Sequence, residues 1–240
     1  MKWKESFRIC SNDVDAFGNI KPGALMRYMQ ETAYLHMEGI HPSANELRTQ
    51  GKAFLLARAS LSIYGNLSHR DEIDVETWES ERKGVGFGRC FSVSCGGVTV
   101  AEMASVWTLY NFAERKIIRV SDADDIVYGS DEELALDLPR RLIYPDADEL
   151  VLIGTHTASF SDTDKNKHIN NTVYADILSD FVPEIRTGDA RIVSFYINYA
   201  NECRMDDEIR IYRTGETNEW YFRTLRSDGR INVEVKIITE

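Results

Sequence analysis

Within eleven residues, Ser161-Asp162-Thr163-Asp164-Lys165-Asn166-Lys167-His168-Ile169-Asn170-Asn171, the chain carries two carboxylates, three amides and an imidazole. Such groups take up protons, orient water and steady an oxyanion. Asp164, Asn166 and His168 stand at i, i+2 and i+4. An extended segment turns all three to one side, whereas a helix spreads them around its axis. An extended loop is therefore expected to present them together. The same residue types also serve as loop and cap residues that satisfy local backbone groups, so the surrounding elements must decide.

Gly154 to Phe160, before the stretch, is β-prone; Thr172 to Leu178, after it, is apolar at helical spacing. The polar residues are thus expected on a loop that enters a helix N-terminus, where free N–H groups and the helix dipole would hold a developing oxyanion.

The stretch has a counterpart upstream. Asp13 aligns with Asp162, Asp15 with Asp164, Asn19 with His168 and Ile20 with Ile169, at a constant offset of 149 (162 − 13). Pro22 and Gly39 then frame a helix of about four turns with Leu25, Tyr28, Met29, Thr32 and Ala33 along one stripe. The equivalent second helix is expected from near Asn171 to before Pro183. Strands follow in each copy: Phe54–Tyr64 and Asp71–Trp78, then Ile192–Ala200 and Asp207–Tyr212, with the Asp-Glu-Ile triplets 136 apart (207 − 71). Hairpins turning at Gly96-Gly97 and Asp228-Gly229 close each copy. The chain is a tandem repeat, each half reading strand, helix, four strands. Residues 1–130 form the first unit, 131–150 a linker carrying Pro139 and Pro145, and 151–240 the second. A long helix followed by a meander of half-buried strands predicts an α+β fold in which an antiparallel sheet curls around the helix.

Composition narrows the function. With 43% hydrophobic and 28% charged residues in 240, the chain is an ordinary globular one. It has no apolar run of about 18 residues that would span a bilayer. A net charge of −11 argues against nucleic acid. An acidic partner would need a local basic patch such as Pro139-Arg140-Arg141 or Lys165 with Lys167. Cys10, Cys90, Cys95 and Cys203 lack metal or disulfide spacing and read as reduced thiols. The N-terminus, from Met1 to Phe7, lacks the apolar core of a secretory signal, so a cytoplasmic location is expected.

The order of elements resembles a tandem (double) hotdog, two antiparallel sheets each wrapped around a long helix. Asp164-Lys165-Asn166-Lys167-His168-Ile169-Asn170-Asn171 resembles the D-x-N-x-H-x-N-N signature of the acyl-acyl carrier protein thioesterases, and Tyr199-Ala200-Asn201-Glu202-Cys203 resembles the family's strand ending in Glu-Cys. Further matches lie at Tyr28–Ala33, Asp74–Trp78 and Ala104–Trp107. The resemblance implies release of free fatty acid from the carrier's phosphopantetheine arm, in fatty acid biosynthesis. It carries over Asp164, Asn166, His168 and Glu202 as catalytic positions, with Cys203 beside them. It also implies that the first repeat lines the acyl-chain pocket, through Leu25, Met26, Met29 and Ala33, a stripe that core packing explains equally. Plant members carry a plastid transit peptide that is not seen here, so a bacterial-type enzyme is expected.

Thioester hydrolysis needs an activated water or nucleophile and an oxyanion stabiliser, but neither metal nor organic cofactor. One route has Glu202 or Asp164 take a proton from water, Asn166 orient the carbonyl or the water, and His168 with helix amides hold the oxyanion or protonate the thiolate. The other has Cys203 attack with His168 as base. The water route is preferred, because neighbouring strand residues face opposite ways and Glu202 and Cys203 should not both enter a pocket. The first repeat has Phe17, Asn19, Asn66 and Leu67 where the second has Asn166, His168, Glu202 and Cys203; one site per chain is expected. The partner is an acyl carrier protein, with acyl-coenzyme A hydrolysis or non-catalytic acyl binding as alternatives, and the chain is a monomer or homodimer.

Overall fold

The computed structural model describes residues 2–123, 126, 131–144 and 150–240. Pro145, in the expected linker, and Met1 lie outside the described residues. The first half runs β1 (Trp3–Arg8), α1 (Pro22–Glu38), α2 (Ala44–Thr49), β2 (Lys52–Ile63), β3 (Glu72–Lys83), β4 (Gly86–Cys95), β5 (Val98–Asn111) and a short β6 (Lys116–Ile118). The second runs β7 (Val151–Thr157), α3 (Val173–Ser179), α4 (Pro183–Thr187), β8 (Ile192–Tyr199), β9 (Glu208–Glu216), β10 (Glu219–Arg226) and β11 (Ile231–Thr239).

The strands lie in the order β1-β3-β4-β5-β2-β8-β11-β10-β9-β7, with β6 paired to β5. The order is palindromic once each strand is exchanged for its repeat partner. Each half is thus one curled antiparallel sheet, and the two meet at β2–β8. Ser60 faces Tyr196 in that ladder. These residues are 136 apart (196 − 60), the offset of the Asp-Glu-Ile triplets, so the pseudo-twofold axis passes through this rung. This is the tandem hotdog, its two sheets joined edge to edge across β2–β8, which removes two edges that would otherwise invite aggregation. One feature differs from expectation. Only the first helix is long: α1 has 17 residues and α3 has 7. Pro183 holds Val182 extended, at φ −93° and ψ 113°, so the second helix cannot run on.

Along α1, Leu25, Met26 and Met29 are fully buried, in one core cluster with Val75, Phe91 and Met103. Each such side chain contributes roughly 1.5–3 kcal/mol on burial. Gly39 ends α1 without entering the left-handed region, at φ −85°. Its missing side chain instead makes room for Trp3, whose ring a Cβ there would approach to 3.3 Å.

Candidate active site

The signature stretch is a tight turn, not the extended loop its alternation predicts. Asp164 N–H donates to the His168 carbonyl and Lys167 N–H to the Asp164 carbonyl, both at 2.9 Å, below an antiparallel bridge between Thr163 and Ile169. Asp164 Oδ1 accepts from the backbone N–H of Asn166 (2.8 Å) and of His168 (3.4 Å), and Oδ2 accepts from Asn166 Nδ2 at 3.1 Å. The carboxylate therefore folds the turn around itself. The first repeat builds the same turn: Asp15 Oδ1 accepts from Phe17 and Asn19 N–H at 2.9 Å, and Oδ2 from Asn19 Nδ2 at 3.4 Å. What Asp164 visibly does is done by Asp15 in a copy with neither the histidine nor the glutamate.

The helix N-terminus also departs from expectation. Asn170 Oδ1 accepts from Thr172 N–H and Oγ, each at 3.0 Å, and the Asn170 carbonyl accepts from Val173 N–H at 2.9 Å, so the amides that lead into α3 are bonded locally. Thr172 and Val173 line a second cavity, away from His168. Asn171 and Tyr174, on either side of that entrance, line the cavity that holds His168.

What converges on His168 comes from the end of β8. His168 Nδ1 lies 3.3 Å from Glu202 Oε2, and Arg204 Nη2 stands 3.7 Å from the other carboxylate oxygen. Three links hold loop and strand end together: Tyr199 OH donates to the Asn171 carbonyl (2.8 Å), Ile169 N–H to the Cys203 carbonyl (2.8 Å), and His168 bridges Arg204. Arg226 Nη1 donates to the Glu202 carbonyl at 2.6 Å. Lys165 joins the loop to α1, its ammonium 5.4 Å from the Tyr34 ring centre.

Cys203 turns the other way. It is 1% exposed, is not on the cavity wall, and its thiol faces Asp207 Oδ2 at 3.7 Å. Burial and that carboxylate push the thiol up to about 11. A thiol so placed is a poor nucleophile at neutral pH.

A cavity of about 610 Å³ joins Asp164, Asn166, His168 and Glu202 to the first half of the chain. Ala33, Tyr34 and Met37 of α1, Phe54 and Leu56 of β2, Phe87 and Arg89 of β4 and Trp107 of β5 line it. Of the four stripe residues expected to line a chain pocket, only Ala33 does; Leu25, Met26 and Met29 are core, because the early turns of α1 press onto the sheet and only the later ones stand clear. The strand residues were missed, although Phe54 and Leu56, and Phe87 and Arg89, share the i, i+2 spacing of one sheet face. Of the two basic patches, Lys165 lines this cavity. Pro139, beside Arg140, accepts from Tyr196 OH, on the opposite face of β8 from the buried Phe195 and Ile197. Among the described residues no group of three or more His, Cys, Asp or Glu is placed to hold a metal, and no helix is long and apolar enough to cross a membrane.

Fold and site define a class: a tandem hotdog with one polar site at the seam between a turn and the end of β8, opening on a cavity in the other repeat. Residues 1–128 match the model of the acyl-ACP thioesterase N-terminal domain and residues 149–239 that of the C-terminal domain. The chain belongs to the acyl-ACP thioesterase family. It is 24% identical to oleoyl-acyl carrier protein thioesterase 2 of Arabidopsis thaliana, over 90% of this chain and 63% of the relative. It is likewise 24% identical to dodecanoyl-[acyl-carrier-protein] hydrolase of Cinnamomum camphora, over 88% and 59%. The chain thus spans about three fifths of these relatives' length. In fold it matches an acyl-ACP thioesterase from Bacteroides thetaiotaomicron (TM-score 0.88, 22% identity, 100% of this chain and 98% of that one). It also matches the 12:0-ACP thioesterase from Umbellularia californica (TM-score 0.86, 20%, 100% and 97%).

Proposed function

We propose that the protein hydrolyses the thioester of fatty acyl-acyl carrier protein to free fatty acid and holo carrier in fatty acid biosynthesis, acting in the cytoplasm as a monomer or homodimer. One observation carries the reading: the His168–Glu202 pair, 3.3 Å apart, at the mouth of a cavity lined by apolar side chains. The Glu202 carboxylate beside Nδ1 favours the proton on that nitrogen, which leaves Nε2 to act as base. Nε2 takes a proton from water as its oxygen attacks the thioester carbon. The carbonyl electrons move to oxygen, steadied by the second N–H of the Asn166 amide. When the oxyanion collapses, the C–S bond breaks and the imidazolium returns the proton to the leaving sulfur. Asp164 positions Asn166 and His168, and Cys203 packs the wall behind the site. The acyl chain lies in the first repeat and the chemistry in the second, with Lys165 and Lys167 meeting the acidic carrier.

The test is cleavage of a chain-length panel presented in parallel on acyl carrier protein and on coenzyme A, by wild type and His168→Ala. Faster wild-type release from the carrier, lost in the variant, is expected. Equal or faster release from coenzyme A would replace the carrier as substrate, and acyl binding without cleavage would make the protein an acyl carrier or sensor.

A further inference from the structure

One buried amide braces the corner that carries Glu202, beside the bonds from Arg226 Nη1 to the Glu202 carbonyl and from Asn201 Nδ2 to the Ile231 carbonyl. Asn232, at the start of β11, has no exposed surface. Its side-chain Nδ2 donates to the Asn201 carbonyl (2.6 Å) and to Tyr174 OH (2.9 Å), and its Oδ1 accepts from Thr224 Oγ1 (2.9 Å). Its backbone carbonyl accepts from the N–H groups of Ala200 and Asn201, at 2.9 and 3.1 Å. Two donors and an acceptor of the side chain are thus all engaged, and three of the five bonds hold the two residues before Glu202.

The other repeat provides an internal control. There the N–H groups of Tyr64 and Gly65 donate to the carbonyl of Val100, at 2.8 and 3.1 Å, so Val100 stands where Asn232 does. Ile211 faces Thr224 as Val75 faces Val93, which makes Val93 the counterpart of Thr224. The repeat offset of 149 pairs Tyr174 with Leu25 (174 − 25). Thr224, Asn232 and Tyr174 in the half with chemistry are Val93, Val100 and Leu25 in the half without it, and all six are buried. The backbone corner forms equally well around apolar side chains. A buried polar network fully satisfied does little more than offset its own desolvation, so stability does not explain why this half keeps one.

Resting on the proposed hydrolysis, we infer that Asn232 is a positioning residue, which with Thr224 and Tyr174 holds the 200–202 corner so that Glu202 meets His168. Because it acts through Glu202, its loss is invisible once that carboxylate is gone.

The experiment is a double-mutant cycle on the full chain. Asn232→Val, the residue the other repeat uses, should lower kcat by about tenfold to a hundredfold with KM within about twofold. In a Glu202→Gln background the same substitution should lower kcat by less than about threefold. A loss in that background as large as in wild type overturns the inference. Tyr174→Phe, which deletes one bond, and Thr224→Val, which deletes the bond to Asn232 Oδ1 and the one from Val233 N–H, serve if Asn232→Val fails to fold, and are read in the same cycle. If wild type cleaves neither thioester, the hydrolase reading fails; the positioning is then read by NMR at the His168 ring. Asn232→Val should move the ring signals in the direction that Glu202→Gln moves them, and unmoved ring signals overturn the inference.

Discussion

Lys167 and Gly18 occupy the same turn position in the two repeats, and both stand in the left-handed region, at φ +65° and +88°. Glycine reaches this region freely, whereas a side chain there costs about 1 kcal/mol. No atom lies within 4 Å of a Cβ built on Gly18, so only the backbone angle opposes a side chain there. Opposite signs follow: Gly18→Ala should destabilise the protein by about 1 kcal/mol, and Lys167→Gly should stabilise it by up to about that much. Urea unfolding of the two variants checks both.

The two carboxylates of the site do different work. Glu202→Gln should cut kcat by roughly two to four orders of magnitude with the unfolding midpoint held, because that carboxylate is largely exposed and makes no backbone bond. Asp164→Ala should lose activity and also destabilise the fold by about 1–3 kcal/mol, since it strips acceptors from the turn; Asp15→Ala should show the stability loss without the catalytic one. Cys203→Ser should retain substantial turnover. An inactive Cys203→Ser with an unchanged melting point would overturn attack by water.

Arg89 offers a test of where the proposed acyl chain ends. It is 6% exposed, lies on the cavity wall and donates to His36 Nδ1 at 3.1 Å and Thr77 Oγ1 at 3.2 Å. Its strand β4 is three strands from β8, by way of β5 and β2. Arg89 is level with Ile197 of β8 through Ser105 and Ala59, whereas Glu202 lies past the end of β8, so three spacings of about 14 Å across the strands and a further run along them separate the two. An acyl chain long enough to reach Arg89 would press its methyl end on the guanidinium. Arg89→Met should move the preferred length upward by two carbons or more, with about a tenfold gain in kcat/KM on the longer acyl group. The panel assay reads this directly, and an unmoved preference refutes it.

His36 links stability to pH. Burial and, next, the Arg89 guanidinium push it down to about 4 from an ordinary 6.5. Between those values the unfolded chain binds a proton that the folded chain refuses. Its contribution is thus complete above about pH 6.5 and is lost as pH falls towards 4, by up to roughly 3 kcal/mol. His36→Gln keeps an acceptor for Arg89 and should flatten that part of the pH profile of urea unfolding.

The repeat and the order of elements along each half were legible in the sequence because periodicity and turn residues mark them, whereas the Asp164 turn was not. Asp164 holds residues two and four positions on, and Asp15 repeats the pattern. Even so, alternation suggested an extended segment where backbone bonds close a turn, because i, i+2, i+4 spacing does not distinguish the two. The family signature supplied the identities of His168 and Glu202, but only the tertiary structure decided that their side chains meet, since a turn and a strand end 34 residues apart (202 − 168) are brought together by packing. The fusion of two sheets at β2–β8 depends likewise on a long-range ladder. So does the cavity wall: an apolar stripe on a helix marks a face, but which of its turns press on the sheet and which stand over empty space depends on the whole packed fold. Leu25, Met26 and Met29 became core, and Ala33, two turns past Met26, reached the cavity.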